Sequence, residues 1–171
     1  MCSERFETAY NFAKKMHEGA FRMGGEPYIT HPAAVAEMIR LQGYNEDYRI
    51  TALFHDLLED TCASEEEIRL IGGDNVLEAV KLLTKKEGYV MADYIAGIRQ
   101  NDMAFAVKAA DRLHNLRSAF VADMDFRRKY VLESIEWYLD FSPLSPEAVM
   151  DLSESLDTPI YDERLLYALH K

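Results

Sequence analysis

His55, Asp56, Glu59 and Asp60 interrupt an otherwise apolar stretch over residues 51–61, and they do so at helical spacing. On one continuous α-helix, residues four apart lie on the same side, so His55 stacks with Glu59 and Asp56 with Asp60. Ile50, Ala52, Leu53, Phe54, Leu57 and Leu58 cover much of the remaining circumference. The pattern predicts a largely buried helix whose polar patch opens on a cavity. Three carboxylates in such a setting call for compensation, because an uncompensated charge in an apolar surround costs several kcal/mol or takes up a proton. A bound divalent cation removes that cost. The plainer reading is a helix whose acids face water and whose histidine is incidental.

The elements that would position this stretch are helical throughout. Phe6, Ala9, Tyr10, Phe12, Ala13 and Met16 follow the helical period, with Gly19 at a C-terminal cap position. After a Gly-rich turn over 23–27, Thr30 is placed to cap a helix carrying Val35, Met38, Ile39 and Leu41 that stops at Gly43. Asn45 caps the helix that holds the 51–61 stretch, and Ser64 with Glu67 forms a capping box. Amphipathic segments follow over 75–83 and 90–100, and a more buried one over 103–117. Asp125 is placed to cap a long helix through Trp137 to about Phe141, while Ser145 before Pro146 and Thr158 before Pro159 read as cap-plus-proline starts of two short final helices. No stretch alternates as a strand does and no repeat is visible, so the expected fold class is all-α, a compact multi-helix bundle in one domain over 1–171.

Composition narrows the function. A chain of 171 residues, 49% of them apolar, can bury a proper core. Its net charge of -11 argues against a nucleic-acid polymer as partner, because phosphate backbones are gripped by basic patches. A small anionic substrate remains compatible if positive charge is focused locally. No apolar run is long enough to span a membrane and the first residues lack the order of a secretory signal, so the expected location is the cytoplasm. Cys2 and Cys62 have no paired-ligand spacing and read as incidental thiols of a reduced compartment.

Other polar residues intrude on apolar runs. Asp111 falls inside a helical pattern, on a face with Lys108, His114 and Asn115, where an aspartate is unfavourable by propensity. Metal binding is one reason for it, and an ion pair with Lys108 or Arg112 is the ordinary alternative. His31 opens a helix directly after a turn, where a protonated ring is poorly placed against the helix dipole but a neutral one is a good ligand. His17 and His170 are assigned no chemistry.

Taken together, HEGAFR at 17–22, GEPYITHP at 25–32, HDLLEDT at 55–61 and KAADRLHNLR at 108–117 resemble the HD-domain metal phosphohydrolases. Within them the chain is similar to the ppGpp hydrolase half of RelA/SpoT-type enzymes and to the stand-alone small alarmone hydrolases, over about 9–141. The resemblance implies that His31, His55, Asp56 and Asp111 ligate one divalent metal, usually manganese, with iron, zinc or nickel as alternatives. It implies that Glu59 and Asp60 are the catalytic acidic pair, and that Arg22 packs on the guanine base with Asn115 near the sugar. Met23 departs from the family, which usually has a second basic residue there, and Ala20 stands where glutamine is common.

The residue chemistry agrees with that picture. Two imidazoles and two carboxylates leave open positions on a six-coordinate ion. Glu59 suits a general base, Asp60 a second water or a leaving-group proton, and Arg22, Lys108 and Arg112 the phosphate charge. The expected activity is release of pyrophosphate from the 3′ position of ppGpp, leaving GDP, or GTP from the pentaphosphate. Dephosphorylation of another nucleotide, such as NADPH at its 2′-phosphate, is the alternative within enzymes. A nucleotide-binding regulatory helical module is the alternative outside them, and the intact acidic pair argues against it.

Overall fold

The central element of the first part of the chain is α3 (Glu46–Phe54), because its second half is buried all round: Ile50, Thr51, Ala52, Leu53 and Phe54 are all buried. A computed structural model describes residues 3–171, so Cys2 lies outside the described residues. Helices account for all the regular structure described, apart from one isolated bridge between Phe21 and Pro27. The fold is all-α.

Two compact units make up the chain, over 1–108 and 109–171. In the first, α3 packs against α1 (Glu4–Met16), α2 (Thr30–Leu41), α5 (Glu65–Gly72) and α6 (Asp74–Leu83). The short α4 (Leu57–Asp60) lies between α3 and α5 in the chain, and α7 (Met91–Arg99) packs on α6. Ala9 and Ala13 of α1, Val35 and Ile39 of α2, Ile68 of α5, and Val76 and Val80 of α6 are fully buried. Their removal from water at about 25 cal/mol per Å² of apolar surface is the main force holding α3 inside. Phe12 meets Phe54 edge to face at 5.7 Å between ring centroids. Arg5 ties the start of α1 to the carbonyls of Ile71 and Gly72 and to Asp47.

Asn45 caps α3, and Ser64 and Glu67 form the reciprocal capping box of α5, as their sequence positions imply. The elbow between α5 and α6 demands glycine twice. Gly73 has φ +84, and a Cβ on Gly72 would meet Cγ1 of Val76 at 2.6 Å.

Four cap expectations differ from the structure, among them Ser145, which is the first residue of the helix Ser145–Glu154 with Leu144 at the cap position. Thr30 lies inside α2 and its hydroxyl donates backward to the Pro27 carbonyl, because the preceding turn already supplies helical backbone at Ile29. Asp123 rather than Asp125 caps α9 (Met124–Trp137), accepting from the Phe126 amide at 2.8 Å. Asp162 rather than Thr158 caps α11 (Glu163–Leu169).

The second unit contains the end of α8 (Asp102–Ser118), a 3-10 turn (Ala119–Val121), α9, α10 (Ser145–Glu154) and α11. Buried Arg112 organises it, bonding Glu133, Ser134 and the Tyr130 carbonyl while its guanidinium covers the Tyr130 ring at 3.6 Å. It therefore serves the interior of this unit, not substrate phosphate. Ser153 exchanges hydrogen bonds with the Ile160 backbone, fastening the segment between α10 and α11.

Candidate metal centre and acidic pair

The helix expected to run through 51–61 is broken. α3 ends at Phe54, His55 and Asp56 form a turn, and α4 begins at Leu57. The two-by-two patch on one helix face therefore does not exist as such. The local cause is visible: Nδ1 of His55 lies 2.7 Å from the Ala52 carbonyl oxygen, three residues back, and the Glu59 amide bonds the Asp56 carbonyl in a tightened turn. The break turns His55 into the interior and leaves Glu59 and Asp60 exposed on α4.

That backbone contact also fixes the chemistry of His55. With Nδ1 donating to a carbonyl, the neutral ring carries its lone pair on Nε2. Nε2 faces Oδ2 of Asp56 at 3.1 Å, and Nε2 of His31 lies 3.9 Å from the same oxygen. His31 and His55 are both buried, offer ligand atoms within 4.8 Å of one another, and meet edge to face at 5.2 Å. Lone pairs of nitrogen and carboxylate oxygen repel each other unless a proton or a cation lies between them. Two imidazole nitrogens gathered around one carboxylate oxygen thus fit a divalent metal.

Tyr28, to which the sequence reading gave no role, belongs to this cluster. Its hydroxyl donates to Oδ2 of Asp56 at 2.7 Å and lies 3.2 Å from Oδ2 of Asp60. His17, also passed over, stacks against the Tyr28 ring at 4.6 Å. It is buried, its Nε2 has no hydrogen-bond partner, and burial pushes its pKa down, with Asp56 opposing and His55 and His31 adding to the shift. Nothing in their local sequence marked Tyr28 and His17 for this place, since each meets the cluster through the tertiary fold.

The acidic pair is held from two directions. Glu59 accepts from the backbone amide of Lys85 at 2.9 Å, across 26 residues of chain. Asp60 has its pKa raised, first by desolvation and then by the charge of Asp56, with the Tyr28 hydrogen bond opposing and Glu59 adding to the rise.

Arg22 and Met23 sit in the turn between α1 and α2, where the Arg22 amide donates to the Glu26 carbonyl at 2.8 Å and the Tyr28 amide to Ala20 at 2.9 Å. Met23 is 66% exposed. Lys108 places its ammonium over the Tyr94 ring at 5.9 Å, and Lys85 does so from 5.5 Å. In the second unit Asp111 is buried and accepts from Nδ2 of Asn115 at 2.6 Å. Arg112, one of the two ion-pair partners considered for Asp111, is committed to Glu133 and Ser134 instead.

An all-helical chain with two buried histidines and an aspartate beside an acidic pair has the donor set that suits a divalent metal. A family model described as the HD domain matches residues 9–141, and the chain belongs to that family. It is 34% identical over 137 residues to a Haemophilus influenzae protein named guanosine-3′,5′-bis(diphosphate) 3′-pyrophosphohydrolase, covering 74% of this chain and 20% of that one. Against the Escherichia coli bifunctional (p)ppGpp synthase/hydrolase SpoT it is 33% identical over 153 residues, covering 83% of this chain and 21% of the relative. The chain thus spans about a fifth of the length of these curated relatives. A solved structure described as a metazoan ortholog of SpoT that hydrolyses ppGpp matches with TM-score 0.69 at 21% identity, covering 99% of this chain and 94% of the other, a likeness of fold.

Proposed function

We propose that this chain is a metal-dependent phosphohydrolase that removes the 3′-pyrophosphate of ppGpp, giving GDP and pyrophosphate. The observation that carries the reading is the convergence of His31 and His55 on Asp56 beside Glu59 and Asp60, in a chain whose relatives carry that activity in their names. His31, His55, Asp56 and Asp111 would hold the ion. Asp111 enters the set as a buried aspartate within the residues matched by the HD-domain model. Manganese suits mixed imidazole and carboxylate donors with open positions, as iron also does. When bound, such an ion supplies Lewis acidity to the phosphoryl group and acidifies water.

The chain's own residues do the rest. Glu59, with Oε2 anchored on the Lys85 amide, presents a fixed carboxylate to take a proton from the attacking water. Asp60, whose carboxyl is pushed toward its protonated form, is suited to return a proton to the departing 3′-oxygen. Water oxygen bonds to phosphorus as the bond from phosphorus to that oxygen breaks, so the proton taken and the proton given balance. Arg22 offers a planar guanidinium to the purine, Lys108 an ammonium to phosphate, and Asn115 an amide to the sugar.

The exposed Met23 favours a second reading at the level of substrate, with looser base choice and a nucleotide such as NADPH dephosphorylated at its 2′ position. The manganese-loaded chain, incubated with a nucleotide panel while phosphate and pyrophosphate are followed separately, tests both. Pyrophosphate from ppGpp is the expected result. Phosphate from NADPH with no pyrophosphate from ppGpp selects the second reading, and release from no nucleotide refutes both.

A further inference from the structure

Tyr28 is the residue through which the two carboxylates of the centre meet. The turn over 20–28 fixes its backbone: the Tyr28 amide donates to the Ala20 carbonyl at 2.9 Å, and its own carbonyl accepts from the His31 amide at 3.0 Å. The ring is clamped as well, with His17 tilted against it at 4.6 Å and His31 edge-on at 6.0 Å. The hydroxyl therefore has little freedom, and it lies between Oδ2 of Asp56 at 2.7 Å and Oδ2 of Asp60 at 3.2 Å. Asp56 and Asp60 are one turn apart, joined by the Asp60 amide to the Asp56 carbonyl at 2.9 Å. Without a group between them their like charges would drive the side chains apart.

We propose that Tyr28 is a positioning residue that orients Asp56 toward His31 and His55 and holds Asp60 in register with it. The inference rests on the reading of Asp56 as a metal ligand and Asp60 as the acid. A ligating carboxylate is aimed by its own hydrogen bonds, and losing such an outer partner typically weakens metal affinity or activity by about 10–100-fold. The same hydroxyl ties the acid to the ligand, so the geometry of one depends on the other.

The test compares the full native chain with Tyr28→Phe, which keeps the ring against His17 and removes only the hydroxyl. Both are stripped with chelator and titrated with Mn²⁺ alone, free ion being read by electron paramagnetic resonance. Melting of the metal-free proteins is recorded alongside, and kcat and KM on ppGpp at saturating metal follow. Expected are a fall in Mn²⁺ affinity of about tenfold or more, an unchanged melting temperature without metal, and a lower kcat at constant KM. Mn²⁺ affinity equal to that of the native chain overturns the proposal, whatever happens to turnover, because a tyrosine that merely packs would leave metal binding alone. Should Tyr28→Phe fail to fold, 3-fluorotyrosine at position 28 keeps the packing while changing the hydroxyl as a donor, and an unshifted Mn²⁺ affinity is again the overturning result. The titration needs no nucleotide, so a native chain inactive on ppGpp refutes the substrate reading and leaves this test intact.

Discussion

Nε2 of His55 lies 3.1 Å from Oδ2 of Asp56, the very next residue, while Nδ1 of the same ring is held at 2.7 Å by the Ala52 carbonyl. Adjacent side chains on a regular helix diverge by about 100° and do not meet in this way. The break after Phe54 brings them together, and it is the geometric origin of the candidate metal centre.

Removing a donor should remove the ion. In His55→Ala and Asp111→Ala, manganese retained after dialysis, measured by elemental analysis, is expected to drop to background, with helix content by circular dichroism nearly unchanged. For the native chain, excess Mn²⁺ at about 100 times its Kd should add about 2.7 kcal/mol of stability through linkage. Native-like retention in Asp111→Ala would take that residue out of the donor set.

Glu59 and Asp60 act on protons and not on the ion in our reading. Glu59→Gln and Asp60→Asn should each lower kcat by about 10²-fold or more while manganese occupancy stays native. Turnover unaffected in both variants, with occupancy verified, would leave these acids only a charge-balancing role.

The Lys85 amide that anchors Glu59 can be deleted without touching either carboxylate. Thr84 has φ -81 and ψ 122, a conformation that accepts a following proline. In Lys85→Pro the charge-assisted hydrogen bond is lost, and kcat is expected to fall about tenfold, equivalent to about 1.4 kcal/mol. Lys85→Ala, which keeps the amide, separates this effect from loss of the ammonium. Equal kcat in the two variants would mean that the anchor does not matter.

Burial holds the His17 ring below its ordinary value of 6.5. Between the folded and unfolded values the unfolded chain binds more protons, so stability rises with pH there. The contribution is fully present above the unfolded value and is lost as pH falls through the window toward the folded one. Metal-free protein should thus melt lower at about pH 5.5 than at about pH 7.5. His17→Phe, which keeps a ring against Tyr28, should reduce that difference. An identical pH dependence in the variant would assign the sensitivity to other groups.

Met23, exposed beside Arg22, supplies no charge to a nucleotide. Met23→Lys is expected to sharpen the preference for ppGpp over NADPH in competition assays and to steepen the salt dependence of binding. Equal discrimination before and after the change would show that position 23 does not face the base.

The sequence by itself determined the helical class, the capping of α3 by Asn45 and of α5 by Ser64, and the burial of 50–54, because these depend on periodicity and on hydrogen bonds a few residues long. It singled out His55, Asp56, Glu59 and Asp60, since an imidazole and carboxylates inside an apolar run are costly without a use, and His31, since a neutral ring opening a helix after a turn is a good ligand. It did not show how they meet. On a continuous helix His55 and Asp56 point apart, and only the tertiary fold, by burying α3 and turning the chain after Phe54, sets them side by side. Tyr28 and the Lys85 amide were equally hidden. Their partners lie 28 and 26 residues away, and neither a phenol nor a backbone N–H carries a sequence signal of what it will touch. Asp123 took the cap expected of Asp125 for a smaller reason of the same kind: both residue types fit, and the neighbouring turn decided where the helix begins.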